Sequence, residues 1–373
     1  MQRVVRPDVQ AMSAYVVADA RGLVKLDAME NPYPLPTDLS EALGVHLANQ
    51  ALNRYPSGSY ARLKQAIAQH DGLPDARMLV LGNGSDELIS LLAMLVAQPG
   101  AVVMAPSPSF VMYEMSAKLN GLSFVPVPLR ADFSLDVGAM LTAIERHRPS
   151  LVFLSYPNNP TGNLFADEDI EAILRATDGL VVLDEAYAPF ADEASWMPRL
   201  SQYPNLAVMR TCSKWGLAGA RIGYLAAAPE WIAQIEKVRP PYNVSVLDAE
   251  TAIFALSNWS RFAAQTALIR EDRSRLAGEL LQLRSPDGLS EIFPSSANFI
   301  LVRLAGSADA EPSRATRVAA VMREMRVLVK DASRMHPLLA NCLRLTVGSP
   351  PENRAMLAAL AEALRVVPAQ DQG

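Results

Sequence analysis

Apolar residues in the first two thirds of this 373-residue chain follow two alternating patterns. Short runs that are apolar at nearly every position lie at residues 102–105, 123–127, 151–155, 180–183, 206–210 and 222–226. Longer stretches with apolar residues at helical spacing lie at 60–70, 85–97 and 167–177. Strands that helices cover on both faces have such uninterrupted apolar runs. The pattern therefore predicts an α/β fold with a mostly parallel sheet between residues 75 and 230.

The pattern changes after the two prolines at 240–241. Long helical stretches at 247–257 and 259–283 are followed by short strand-like runs at 297–304, 327–330 and 342–347, with a helical stretch at 314–325. This mixture predicts a smaller α+β domain. We expect three parts: an N-terminal arm (1–40) that contributes to the small domain and to a dimer, a large domain (41–255) and a small C-terminal domain (256–373).

Composition and charge exclude several classes of protein. Hydrophobic residues make up 50% of the chain, which is too many for a mainly disordered protein. The 34 Lys and Arg against 39 Asp and Glu give no general electrostatic reason to bind nucleic acid or an anionic membrane. The two cysteines and four histidines lack metal-ligand spacing, and Arg3 and Arg6 lie where a signal peptide needs an apolar core. We expect a cytoplasmic protein that binds no metal, nucleic acid or membrane.

Polar turns lie at the ends of the predicted strands, where open α/β sheets bind ligands. The sequence LGNGSDEL, residues 81–88, places Ser85 and Asp86 at the start of an apolar helix. The first N–H groups of such a helix can bind a phosphate, although an ordinary helix cap explains the same residues. The sequence YPNNPTG displays Asn158 and Asn159 after the run at 151–155. A sharp turn fixed by prolines and glycine is the alternative there.

Two further turns carry charged side chains. Asp184 and Glu185 directly follow the apolar run at 180–183, with Tyr187 nearby. A buried carboxylate needs a cation or a donor, whereas a solvated strand end needs neither. Lys214 follows the run at 206–210, where burial would make its amine nucleophilic unless it is simply an exposed lysine. Hydroxyls and a cation accompany it in the sequence: Thr211, Ser213 and Arg221.

The four turns together supply the groups that one cofactor needs. Pyridoxal 5′-phosphate requires a lysine for a Schiff base, an acid at its ring nitrogen, donors to its ring oxygen and a phosphate site. Each turn alone has a structural explanation, but chance agreement of all four is a poor explanation. The sequence therefore predicts a pyridoxal-phosphate enzyme.

The motifs resemble those of the fold-type I pyridoxal-phosphate aminotransferases over nearly the whole chain. They include DAMENPYPLP (27–36), RYPSGSY (54–60), PSPSFVMY (106–113), PNNPTG (157–162), DEAY (184–187), SKWGLAG (213–219) and CLRLTVGSPPEN (342–353). The segments ENPYP, PYNVS and LRLTVG are similar to the histidinol-phosphate branch of that family. The resemblance implies a large domain with a mostly parallel, helix-covered sheet plus a smaller α+β domain.

The resemblance also implies roles for individual residues. Lys214 corresponds to the lysine that forms the Schiff base and later moves the proton, and Asp184 to the acid at the ring nitrogen. Asn159 and Tyr187 correspond to the groups that bind the ring oxygen, and Phe110 to the ring that stacks on the cofactor. Residues implied at the phosphate are Ser85, Asp86, Thr211, Ser213, Arg221 and, from a second protomer of a homodimer, Tyr55.

Substrate recognition is implied in the same way. Arg344 corresponds to the arginine that binds the substrate carboxylate or phosphate, helped by Tyr15, Asn31, Asn159 and Lys330, the last replacing an arginine of many relatives. The expected reaction is transamination between L-histidinol phosphate and 2-oxoglutarate in histidine biosynthesis. Alternatives are an aromatic amino-acid aminotransferase, a phosphothreonine decarboxylase of the same fold, and a non-enzymatic cofactor-binding regulator.

Overall fold

A computed structural model of the protein describes residues 4–14, 17–192, 195–306 and 312–369. The strands are β1 Val24–Leu26, β2 Leu79–Asn83, β3 Val102–Ser107, β4 Ser123–Pro128, β5 Leu151–Ser155, β6 Leu180–Asp184, β7 Leu206–Thr211, β8 Ile222–Ala227, β9 Leu289–Ile292, β10 Phe299–Leu304, β11 Val327–Asp331 and β12 Cys342–Thr346. The helices are α1 Pro7–Ala11, α2 Thr37–Ala48, α3 Ala61–Asp71, α4 Ser85–Leu95, α5 Met112–Leu119, α6 Val137–His147, α7 Asp167–Ala176, α8 Pro229–Val238, α9 Val246–Ser257, α10 Trp259–Leu281, α11 Arg314–Glu324 and α12 Pro350–Val366. Within the described ranges, none of these helices has the length and apolar character needed to cross a bilayer.

The larger sheet has the strand order β2-β8-β7-β6-β5-β3-β4. The five neighbouring strands β4, β3, β5, β6 and β7 pair in parallel, as the uninterrupted apolar runs predict. Strand β8 is antiparallel to both of its neighbours. The connection from β7 to β8, residues 212–221, is shorter than the crossover of about a dozen residues that a parallel pair needs. The chain therefore reverses there, and this reversal carries Lys214.

Helices cover both faces of the larger sheet. On one face, apolar residues of α3, α6 and α7 pack against alternate strand residues such as Val181 and Leu183. On the other face, α4, α5 and α8 pack against the intervening residues, including Leu180 and Val182. Both faces of β6 are buried, so a charged residue at its end enters an environment with little water.

The smaller sheet has the order β1-β11-β12-β10-β9. Strand β1 is parallel to β11, and the remaining neighbours are antiparallel. Helices α11 and α12 pack on this sheet together with apolar residues of α10. The sequence pattern did not single out β1 or β9, because three or four residues are too few to show a period. The pairing of β1 brings residues 27–31 to the edge between the two sheets.

Candidate active site

A cleft opens where β5, β6 and β7 end and where α4 begins. Its lining contains ten of the residues that the sequence predicted for a cofactor site: Ser85, Asp86, Phe110, Asn159, Asp184, Tyr187, Thr211, Ser213, Lys214 and Arg221. Three residues that were not predicted also line it: Met29, Ser155 and Ala186. Because the ends of neighbouring parallel strands meet at one sheet edge, turns distant in sequence come together here.

Lys214 lies in the helical turn between β7 and β8. Its Nζ donates a hydrogen bond to the carbonyl oxygen of Ala28 at 3.2 Å. Burial, together with the nearby positive charge of Arg344, lowers the pKa of Lys214 to about 8. A substantial fraction of the amine is therefore neutral near pH 8, and the neutral amine is the nucleophilic form.

Asp184 is buried at the end of β6. Its Oδ2 accepts a hydrogen bond from the Tyr113 hydroxyl at 2.7 Å, and its Oδ1 accepts one from the Ala186 N–H at 3.1 Å. Burial raises the pKa of Asp184 to about 6, although these two donors oppose the increase. A buried carboxylate of this kind favours a cationic partner.

A further set of groups in the cleft is suited to hold an anion. The N-terminus of α4 begins at Ser85, and the hydroxyl groups of Thr211 and Ser213 lie 3.0 Å apart. Arg221 approaches so closely that a Cβ on Gly84 would lie 2.5 Å from its Nη2. Gly84 also has φ +76°, so glycine is required there for both space and backbone conformation. Helix N–H groups, hydroxyls and a guanidinium are groups that can bind a phosphate.

A chain of hydrogen bonds joins the middle of the cleft to the smaller sheet. The Asn159 amide donates to the Tyr187 hydroxyl oxygen at 3.3 Å, and Arg344 donates to Asn159 Oδ1 at 2.6 Å. Arg344 also donates to the Asp27 carbonyl oxygen at 2.7 Å. The Tyr187 hydroxyl contacts Met29 Sδ at 3.7 Å. Arg344 thus lies one residue behind the cleft lining, with its guanidinium directed at Asn159.

The remaining predicted residues lie around the cleft. Asn31 donates to the Trp215 carbonyl oxygen and to Gln265 Oε1, which ties the N-terminal segment to the lysine turn. Lys330 is the register partner of Arg344 across β11 and β12. Tyr55 is 80% exposed and stacks on Tyr242 with ring centroids 4.6 Å apart, so it does not line the cleft of its own chain. Tyr15 lies outside the described residues.

Sequence reasoning missed two residues that contact the predicted site, Tyr113 at Asp184 and Met29 at Tyr187. Tyr113 follows Phe110 by three residues, and this helical spacing was the available signal that both aromatic rings face the same site. Met29 has φ +54°, a rare conformation for this residue type. No pattern in the sequence predicts this conformation.

The side chains fit the cofactor that the sequence predicted. An amine with a depressed pKa, a buried carboxylate and an anion cradle occupy separate parts of one cleft. Pyridoxal phosphate carries an aldehyde, a basic ring nitrogen and a phosphate, which are complementary to these three groups. Asn159 and Tyr187 line the same cleft and can donate hydrogen bonds to a ring oxygen.

Comparisons with known proteins agree with this geometry. The family described as aminotransferase class I and II matches residues 21–360. Histidinol-phosphate aminotransferase 1 of Burkholderia lata is 54% identical over 97% of this chain and 98% of the relative. Histidinol-phosphate aminotransferase 2 of Cupriavidus pinatubonensis is 52% identical over 98% of both chains. The crystal structure of histidinol-phosphate aminotransferase from Sinorhizobium meliloti in complex with pyridoxal-5′-phosphate has a TM-score of 0.85 at 25% identity, covering 97% of this chain and 98% of that chain.

These findings confirm the resemblance and the fold class inferred from the sequence. The chain belongs to the class I and II aminotransferases.

Proposed function

We propose that this chain is a pyridoxal-phosphate-dependent transaminase that acts on L-histidinol phosphate and 2-oxoglutarate in histidine biosynthesis. The products are imidazole-acetol phosphate and glutamate. The observation that carries the proposal is the convergence of Lys214, Asp184 and the anion cradle in one cleft. The near full-length identity of 54% with a histidinol-phosphate aminotransferase supports the choice of substrate.

Each group of the cleft has a part in holding the cofactor. Asp184 holds a protonated ring nitrogen, the α4 N-terminus with Arg221 holds the phosphate, and Asn159 with Tyr187 binds the ring oxygen. Ser85, Asp86, Thr211 and Ser213 complete the phosphate site, and Phe110 packs against the ring. Pyridoxal phosphate held there would supply an electron-accepting ring for the carbanion character that develops when the substrate loses its α-proton. The Lys214 amine holds and returns that proton, since its lowered pKa suits a general base near neutral pH.

Arg344 is the main group for the substrate anion. Its planar guanidinium suits a bidentate pair with a carboxylate or a phosphate, and its two hydrogen bonds to Asn159 and Asp27 fix its orientation. Lys330, paired in register with Arg344, adds a second positive charge. Asn31 and Tyr15 complete the proposed substrate site.

We also propose a cytoplasmic homodimer with shared active sites. Tyr55 and Tyr242 form an exposed aromatic stack that a second copy of the chain would cover. Tyr55 then reaches the phosphate site of the partner subunit. The division into an arm (1–40), a cofactor-binding domain (41–255) and a small domain (256–373) is supported by the separation of the two sheets.

The absorbance of purified protein between about 300 and 500 nm, with and without histidinol phosphate, tests the proposal. We expect a visible cofactor band that histidinol phosphate converts to a near-ultraviolet band when no keto acid is present. Addition of 2-oxoglutarate should restore the visible band and release glutamate, because the amino group is transferred and not lost.

Other substrates distinguish the alternatives. A band that responds only to aromatic amino acids would reassign the substrate within the family. Release of carbon dioxide from phosphothreonine without consumption of keto acid would indicate a decarboxylase. Absence of a protein-bound band after pyridoxal phosphate is added and the unbound excess is removed would contradict the enzyme assignment itself.

A further inference from the structure

Tyr113 reaches Asp184 from a helix that carries no other group of the proposed mechanism. It lies on α5, is 1% exposed, and places its hydroxyl 2.7 Å from Asp184 Oδ2. Its ring stacks on Phe153 of β5 with centroids 4.5 Å apart and an interplanar angle of 2°. Packing fixes the Tyr113 ring in one rotamer, and the ring in turn holds the hydroxyl oxygen beside Asp184.

In the hydrogen bond between Tyr113 and Asp184, the tyrosine hydroxyl is the donor. Burial raises the pKa of Tyr113 well above its ordinary value, so the phenol stays protonated and donates to the carboxylate. The Ala186 N–H donates to the other oxygen, Oδ1. Two fixed donors on two oxygens prevent rotation of the carboxylate and stabilise its ionised form.

The surroundings of Asp184 make this donor important. Burial favours the protonated acid, and the negative charge of Asp86 adds to that tendency, while the positive charge of Lys214 opposes it. Ser155, the register partner of Asp184 on β5, contributes a neutral hydroxyl to the same cleft. Tyr113 is thus the main side-chain donor that keeps the acid ionised.

We propose that Tyr113 is a positioning residue for the ring nitrogen of the cofactor, acting through the orientation and charge of Asp184. The inference rests on the proposed function only for the identity of the cofactor. Removal of the hydroxyl leaves Asp184 free to rotate and easier to protonate, which weakens its hold on a protonated ring nitrogen.

The test is Tyr113→Phe, which retains the ring that packs on Phe153. Holoenzyme is prepared with cofactor labelled with nitrogen-15 in the ring, and the ring-nitrogen chemical shift is followed with pH in the absence of substrate. Because the variant loses a hydrogen bond to a charged group, we expect its deprotonation midpoint to fall by about one pH unit. We also expect kcat to fall about tenfold, with a smaller change in KM.

Tyr60→Phe is the matched control. The Tyr60 hydroxyl is also buried and donates to the Val244 carbonyl oxygen at 3.0 Å, away from the cleft. Both variants should lose some thermal stability, but only Tyr113→Phe should move the ring-nitrogen midpoint. If Tyr113→Phe lowers stability and leaves that midpoint unchanged, the residue has only a structural role and the proposal is wrong.

Two further variants keep the proposal testable. Phe153→Leu retains the hydroxyl but loosens its support, and we expect a smaller shift of the midpoint in the same direction. If Tyr113→Phe does not fold, Phe153→Leu becomes the deciding variant. An unchanged ring-nitrogen midpoint in Phe153→Leu would then overturn the proposal. In an Asp184→Asn background, Tyr113→Phe should have little additional effect on kcat.

The midpoint is measured without substrate, so it separates this inference from the substrate assignment. A protein that binds the cofactor but ignores histidinol phosphate can still show the Tyr113 effect. Conversely, normal transamination with an unchanged midpoint in Tyr113→Phe would reject only the role of Tyr113.

Discussion

Lys214 and Asp184 have opposite shifts for the same physical reason. Burial disfavours charge, so the pKa of the lysine falls to about 8 and the pKa of the acid rises to about 6. In the proposed site each side chain would gain a partner from the cofactor, the amine an aldehyde and the carboxylate a cationic ring. The cofactor-free cleft therefore holds groups whose arrangement favours function over stability.

Replacement of Lys214 by Met should stabilise the cofactor-free protein. The folded-state pKa of Lys214 lies below its ordinary value of 10.5, so the unfolded chain binds more protons between about pH 8 and 10.5. Stability of the wild type should therefore rise with pH across that window, and Lys214→Met should lack this rise. At pH 7.5 we expect the variant to be more stable by about 1 kcal/mol.

Urea unfolding of cofactor-free protein at several pH values measures this effect. Lys118→Met is the control, because the Lys118 side chain is more than half exposed on α5 and forms a surface ion pair with Glu114. A steeper rise of stability with pH in Lys214→Met than in the wild type would contradict the burial argument.

The sequence identified the cleft residues that follow strands, but it did not identify a residue that reaches the cleft from a covering helix. Lys214 and Asp184 were predictable because each directly follows an apolar strand and lies in a familiar motif. Tyr113 was not, since its contact with Asp184 depends on how α5 is rotated and how closely it approaches β6. The conformation of Met29 likewise depends on the Asn298 and Thr346 side chains, which hydrogen-bond its backbone from distant parts of the chain.

At the level of elements, an ion-pair network fixes the ends of β6 and β7 relative to each other. Arg210 on β7 donates to Glu185 at 2.7 Å and to Asp71, at the end of α3, at 2.7 Å. Both carboxylates are almost fully buried. Glu185 follows Asp184, and Arg210 precedes Thr211. The network therefore holds the two strand ends that carry the Asp184 carboxylate and the Thr211 hydroxyl.

Arg210→Met should be strongly destabilising. It would leave two buried carboxylates without their shared cation, a change that costs about 3–5 kcal/mol in buried pairs. Arg21→Met is the control, because the Arg21 pair with Asp19 is largely exposed and should contribute less than about 1 kcal/mol. Chemical denaturation of both variants compares the two costs. Similar losses in both would show that the Arg210 network is not a buried charge system.

The prediction of elements identified six of the seven strands of the larger sheet and missed β2, whose end lies in the LGNGSDEL turn. All six predicted runs of the larger sheet are strands, but the antiparallel direction of β8 follows from the short turn before it and not from its composition. Strand β1 could not be predicted, since it pairs with β11 about 300 residues away and offers only three residues of pattern.

For the whole molecule, the pairing of β1 explains how the two sheets share one site. It positions residues 27–31, whose backbone carbonyls accept hydrogen bonds from Arg344, Lys214 and Asn298. Asn31 then contacts the lysine turn. The segment 27–31 therefore links Arg344 of the smaller sheet to Lys214 of the larger one.

Shared active sites in a homodimer can be tested by mixing two defective variants. Lys214→Ala removes the amine of one protomer, and Tyr55→Ala removes the side chain that is proposed to reach the partner's phosphate site. If Tyr55 acts across the interface, one site of each mixed dimer contains both substitutions and the other site contains neither. Random reassociation gives about half mixed dimers, so about one quarter of wild-type activity should return.

The outcome depends on which chain Tyr55 serves. The assay is run at a cofactor concentration at which Tyr55→Ala alone is inactive, with subunits exchanged by dilution and reconcentration. If Tyr55 served its own chain, every site of the mixed dimer would carry one substitution and no activity would return. We expect recovery of activity in the mixed dimer. Tyr55 is 80% exposed and does not line the cleft of its own chain, so its ring is free to contact a second protomer.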